Sequence, residues 1–317
     1  MWSRSTLVFL FAACSGSAPG GPDAAVDSGG EVDAPSGNPL TDVGAVTRVA
    51  PAMTFQFLEG PQWRQGEADW LFTDIPANQI YRYAPGGAVT SFRTPSGNAN
   101  GLAQERGGTI LAAEHGGRRI SRISGTTVTA VAERFEGKLF HSPNDVVTAA
   151  DGTIYFTDPP YGLNGRPAEL TFNGVFRVAG GAVTAEHRGA VDTRPNGIAI
   201  SPDGKKVYVA FTHNGEVLGF PVLAGGALGP PARAALTAGN ADGMAVDAAG
   251  NLFVTSQNGV EVFAPDGTKW GEIKTPGAPG PKPTNCAFGG ADRRTLLITT
   301  PQALFQVTLR YGGLPTR

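Results

Sequence analysis

Cysteine is nearly missing from this chain of 317 residues: Cys14 and Cys286 are the only two. Cys14 lies in the apolar opening segment, so the body of the chain holds one thiol and no intrachain disulfide. There is also no CxxC pair for zinc or redox work. Cys286 opens an apolar CAF run and reads as a small buried side chain. Charge of one sign is lacking too, with 25 Lys and Arg against 27 Asp and Glu. No basic run or basic–aromatic interleaving occurs, which excludes the usual footprint of a nucleic-acid binder. Long hydrophobic runs are absent; TLVFLFAA, from Thr6, is too short to cross a membrane as a helix. Long stretches free of helix breakers are absent as well. The 45 Gly and 25 Pro recur every few residues, leaving no room for a substantial amphipathic helix. What remains is an all-β, turn-dense chain.

The first residues stand apart. Arg4, the apolar run and a terminal FAAC make residues 1–14 a lipoprotein-type signal peptide, with Cys14 as the lipidated residue. An ordinary cleaved secretory signal is the alternative. Residues 15–44 are rich in Gly, Pro, Ser and Asp and read as a flexible tether. This predicts an exported protein, periplasmic or anchored in the outer membrane of a bacterium. Membrane contact would come only through the lipid, and no protein partner is expected.

Residues 45–317 carry a repeat. Six apolar strands begin at Trp70 (WLFTD), Thr109 (TILAAE), Thr153 (TIYFTD), Lys206 (KVYVAF), Asn251 (NLFVTS) and Thr295 (TLLITT). Roughly ten residues before each stands a polar residue: Glu59, Asn100, Asn144, Asn196, Asp242 and Asn285. The spacing of about 40 to 50 residues is that of propeller blades. The predicted fold is a six-bladed β-propeller in which the unpartnered segment AVTRVA, from Ala45, closes the last blade and leaves no open edge.

A propeller sets equivalent positions of its blades around one channel, so six oxygen-bearing side chains would converge. Two are carboxylates and four are amides, and two negative charges match one divalent cation. Oxygen donors without His or Cys favour Ca²⁺ or Mg²⁺ over zinc. Ca²⁺ tolerates a mixed, irregular shell better and is the first choice, another divalent cation being possible. The competing reading is that Asn-Gly and Asp-Gly are ordinary turns. It fits Asn100, Asn196 or Asn285 taken singly. It fails for Glu59, since Glu is a poor turn residue, and for six positions in the same phase.

Several long segments resemble the regucalcin/gluconolactonase family of calcium-dependent lactonases, in its bacterial gluconolactonase-like branch. They are EGPQW at Glu59, FTDIPANQIYRY at Phe72, EHGGRRISR at Glu114, SPNDVV at Ser142 and YFTDPPYG at Tyr155. RPNGIAISPDGK at Arg194, ADGMAVD at Ala241 and NCAFGG at Asn285 follow in the same order. The resemblance implies a six-bladed propeller and a Ca²⁺ held by Glu59, Asn144, Asn196 and Asp242. The animal branch carries a substrate-contacting Arg at the position of Ser142, so its sugar specificity does not transfer.

The implied chemistry is hydrolysis of a small-molecule lactone. The metal polarises the carbonyl, and Asp242 acts as the base for water or as the nucleophile. Asn100, Asn144, His115 and His141 are the candidate substrate contacts, and Tyr161 of the DPPYG loop is placed to line the pocket wall. His187 and His213 read as rim residues. A diisopropyl fluorophosphatase-like phosphotriesterase would use the same ligand types. A non-catalytic binding propeller would need no buried carboxylates, and a strictosidine synthase-like propeller is disfavoured by the missing cysteine pair.

Overall fold

The six apolar runs are short, rich in β-branched and aromatic residues, and bounded by turns, which suits strands covered on both faces. In the computed structural model each is the second strand of a four-stranded antiparallel sheet, and there are six such sheets. The model describes residues 1, 37–277 and 282–315. The signal-peptide reading and most of the tether lie outside them. Among the described residues no helix is long and apolar enough to span a membrane.

The inner strands are Leu58–Arg64, Ala99–Gln104, Val146–Thr148, Pro195–Ile200, Met244–Val246 and Asn285–Gly289. We number the blades 1 to 6 in this order. Strand alternation explains how the blades stack. Leu71 of blade 1 packs with Ile110 and Ala112 of blade 2. The next residue, Phe72, points the other way, to Leu297 and Leu304 of blade 6. Blade 2 then meets blade 3 through Leu111, Ala113, Phe156 and Phe176. Blades 3 and 4 join at Tyr155, Val175, Val207 and Val209. The remaining seams hold Ala210 with Val254 and Phe253 with Ile298. Both Leu71 and Phe72 are fully buried, and burial of such a side chain contributes roughly 1.5–3 kcal/mol. Outer strands such as Thr127–Ala132 mix exposed and half-buried positions, as rim strands should.

The ring closes as the unpartnered N-terminal segment requires. Thr47, Arg48 and Val49 pair antiparallel with Gln306, Phe305 and Leu304, so blade 6 draws its outer strand from the N-terminal side. The boundary placed at residue 45 falls late, however. Leu40 and Val43 pack on the seam between blades 5 and 6, and the Gly44 amide donates to the Thr308 carbonyl at 3.0 Å. Two apolar residues in a polar stretch suffice to dock it, and composition averaged over 15–44 hides them.

Candidate metal centre at the channel mouth

All six recurring polar residues sit at or just before the start of an inner strand. In blades 1, 2 and 4 the pairing slips there, between Glu59 and Gln62, Ala99 and Leu102, and Pro195 and Ile198. Such bulges re-aim a side chain away from the sheet. The glycine that often follows has a steric cause. A Cβ on Gly60, at φ 49°, would run into the Asn100 carbonyl, and one on Gly101 would meet Asn144 and Asp145. Inner strands of neighbouring blades thus touch backbone to backbone; Gly101 N–H donates to the Asn144 carbonyl at 2.8 Å.

The backbone of the ring is held from behind by threonines of the second strands. Thr73 Oγ1 donates to the Asn100 carbonyl at 2.9 Å and Thr157 Oγ1 to the Asn196 carbonyl at 2.6 Å. Thr255 reaches the Thr284 carbonyl at 2.9 Å, and Thr284 in turn reaches Leu58 at 2.6 Å. The recurring Thr in LFTD, YFTD and FVTS was the sequence signal for this bracing, in phase with the ring residues.

Glu59 is 3 % exposed. Burial, then the neighbouring Asp242 and Asp145 charges, raise its carboxyl well above the usual range, opposed by hydrogen bonds from Asn285 and Gly60. Asp242 is pushed up to about 8, chiefly by burial, with Asn196 donating a hydrogen bond that opposes the shift. The third carboxyl, Asp145, was missed by the sequence reading. It is raised to about 7 by burial, against hydrogen bonds from the amides of Val146 and Ile198 and from the Asn285 side chain. Its signal lay in the pattern: blade 3 reads Asn144-Asp145 where four other blades place glycine after the ring residue.

Three carboxyls therefore share one mouth, and none belongs to the ion pairs found among the described residues. Clustered like charges without a counter-ion call for a cation. Among the described residues no three His, Cys, Asp or Glu side chains, these carboxyls included, come close enough to hold an ion by themselves. A cation here would need the amide oxygens of the Asn residues as well. The donor set of carboxylate and amide oxygens fits a hard divalent ion.

Around this centre the candidate substrate contacts separate. Asn100 Nδ2 approaches His115 Nε2 at 3.2 Å, while its Oδ1 is buried without a partner. His115 is held near pKa 4 by burial first and by Arg166 second, so it is neutral. Asn144 is 5 % exposed and its backbone bridges blades 2 and 3. His141 departs from expectation. Its Nδ1 faces Asn173 Oδ1 at 3.0 Å and its Nε2 faces the Leu170 carbonyl at 3.1 Å. Both nitrogens are engaged inside the protein, which leaves none for a substrate. The HSPND segment instead serves by its backbone: Asp158 accepts the amides of His141 and Ser142, each at 2.8 Å, and so places Asn144. His187 lies on the outer strand of blade 3, Ala182–Gly189, as expected of a rim residue, half-buried against Phe211 and Phe220. Cys286 is buried, as expected.

The six-bladed ring with its carboxylate–amide mouth coincides with a family match. Residues 57–302 fit the model described as SMP-30/Gluconolactonase/LRE-like region. The chain belongs to this family. It is 34 % identical over 295 residues to the gluconolactonase of Zymomonas mobilis subsp. mobilis, covering 83 % of this chain and 81 % of that protein. A pentonolactonase, XacC, of Haloferax volcanii is 27 % identical, with 80 % and 84 % covered. Among solved structures, the gluconolactonase XC5397 of Xanthomonas campestris superposes with a TM-score of 0.73 at 31 % identity, covering 84 % of this chain and 95 % of that one. A regucalcin from Agrobacterium tumefaciens gives a TM-score of 0.70 at 21 % identity, covering 86 % and 98 %, which shows the fold alone.

Proposed function

We propose that this protein is a Ca²⁺-dependent lactonase that opens the cyclic ester of a sugar acid. The observation that carries the reading is the uncompensated cluster of Glu59, Asp145 and Asp242 at the channel mouth, set among Asn side chains. The gluconolactonase and pentonolactonase relatives support the substrate class. Glu59, Asn144, Asn196 and Asp242 would hold the ion. When bound, a divalent cation supplies Lewis-acid polarisation of an ester carbonyl.

The chain's own residues supply the rest. Asp242 acts as the base toward water, or as the nucleophile at the carbonyl carbon, with Asn196 donating to its carboxyl and fixing its direction. Burial raises its basicity, which offsets the loss a neighbouring cation imposes. Asn100 presents Oδ1 to a substrate hydroxyl. His115 holds that amide in place and, being neutral, adds no charge to the wall. The export signal and Cys14 anchor would set the enzyme outside the cytoplasm, with the tether as spacer.

The test is hydrolysis of glucono-1,5-lactone with Ca²⁺ and after chelation, corrected for spontaneous opening. Turnover abolished by chelator is expected. Ca²⁺ binding without lactone turnover, but with hydrolysis of a phosphotriester, would replace the lactonase by a phosphotriesterase. Neither binding nor turnover would leave a non-catalytic propeller.

A further inference from the structure

The connection between the second and third strands of blade 3, residues 159–172, reaches across to blade 2. Arg166 clamps it there: Nη1 donates to the Gly116 carbonyl at 2.9 Å, Nη2 to the His115 carbonyl at 2.8 Å and to the Gly162 carbonyl at 2.6 Å. Gly162 lies against the His115 side chain, so close that a Cβ there would come within 2.6 Å of its Cβ and Cγ. Its amide is held by Ser142 Oγ at 2.8 Å. One wall therefore runs from Asn100 through His115 and Gly162 to Tyr161.

Tyr161 ends that wall beside the candidate metal centre. The Arg194 guanidinium stacks 5.5 Å from its ring centroid, which fixes the ring plane. Burial raises its hydroxyl above the usual phenol range, against the approach of Thr212 and Asn196, and it feels the Asp242 charge. Neither approach meets hydrogen-bond geometry, and the oxygen is buried without a partner. The neighbours are already engaged: Asn196 Nδ2 donates to Thr212 Oγ1 at 3.0 Å, and Thr212 donates to the Ala241 carbonyl at 2.8 Å. A buried, oriented hydroxyl without a partner is costly unless a ligand group meets it.

We propose that Tyr161 is a specificity-determining residue whose hydroxyl hydrogen-bonds a ring hydroxyl of the lactone, selecting polyhydroxylated lactones over unsubstituted ones. The inference rests on the lactonase reading. Asn100 Oδ1, the other orphaned oxygen of this wall, is an acceptor only, whereas a phenol both donates and accepts. The two together suit a ligand with several hydroxyls. A site built to hydrogen-bond a substrate hydroxyl discriminates strongly against the analogue that lacks it.

The test compares the full-length protein with Tyr161→Phe on glucono-1,5-lactone and on δ-valerolactone, with Ca²⁺ present and native folding checked by thermal melting. The phenyl ring keeps the Arg194 stacking and removes only the hydroxyl. The preference for the hydroxylated lactone, as a ratio of kcat/KM values, is expected to fall by about 10- to 100-fold. A parallel loss on both lactones, or no loss on either, would overturn the role of Tyr161 while leaving the lactonase intact. Wild-type protein inert toward both lactones would overturn the lactonase reading and this inference with it.

Discussion

Asn100 and His115 face each other at 3.2 Å across the second blade, amide nitrogen to imidazole Nε2. A neutral imidazole accepting there fixes the amide so that Oδ1 looks into the mouth. Protonation of Nε2 would reverse this, since a donor would then meet a donor.

That relationship has a pH consequence. The folded pKa of about 4 lies below the ordinary 6.5. Between those values the unfolded chain binds the proton and the native one does not. Stability therefore falls as pH drops from about 6.5 toward 4, by roughly 3 kcal/mol in the limit. Urea unfolding at pH 7 and pH 4.5 is expected to show a smaller difference in His115→Gln than in wild type. An equal difference would reassign the acid sensitivity elsewhere.

Asp242 and Asp145 should separate by role. Asp242→Asn is expected to lower kcat by about 10²- to 10⁴-fold, the usual worth of a catalytic base. Asp145→Asn is expected to keep the fold and weaken Ca²⁺ about tenfold, as supporting groups of a metal shell do. Steady-state kinetics and calorimetric titration with Ca²⁺ read the two effects; full turnover in Asp242→Asn would remove it from the mechanism.

The threonine braces carry stability. Thr157 Oγ1 donates to the Asn196 carbonyl at 2.6 Å and receives the Asp145 amide at 3.2 Å. Thr157→Val keeps the volume and leaves both groups unsatisfied, a loss of about 1–3 kcal/mol in urea unfolding. Thr157→Ser should restore most of it.

Closure by the N-terminal strand predicts that a chain beginning at residue 50 does not fold. It would lose three pairs along Leu304–Gln306 and the Val49 side chain, together with the docked Leu40 and Val43. Thermal melting checks this; a soluble truncated protein with a cooperative transition would contradict it.

Cys14 should decide membrane attachment. Wild-type protein expressed with its leader is expected in the detergent phase, and Cys14→Ser in the aqueous phase. Aqueous partitioning of both would make the leader an ordinary secretory signal.

The repeat, and with it the propeller, was legible in the chain because local patterns encode it. A buried strand must be short, apolar and bounded by turns, and blades must recur at a near-constant spacing. The polar residue ahead of each strand was legible for the same reason, since Glu59 through Asn285 hold one phase of that period. The tertiary structure alone decided what surrounds them. Asp145 enters the mouth because inner strands of blades 2 and 3 meet backbone to backbone, a contact between residues distant in sequence. His141 turns away because Leu170 and Asn173, some thirty residues on, supply its acceptors. Tyr161 reaches Asn196 because Arg166 pins its loop to a neighbouring blade. Period and composition fix where a side chain starts; its direction depends on bulges and on long-range hydrogen bonds that no local pattern records.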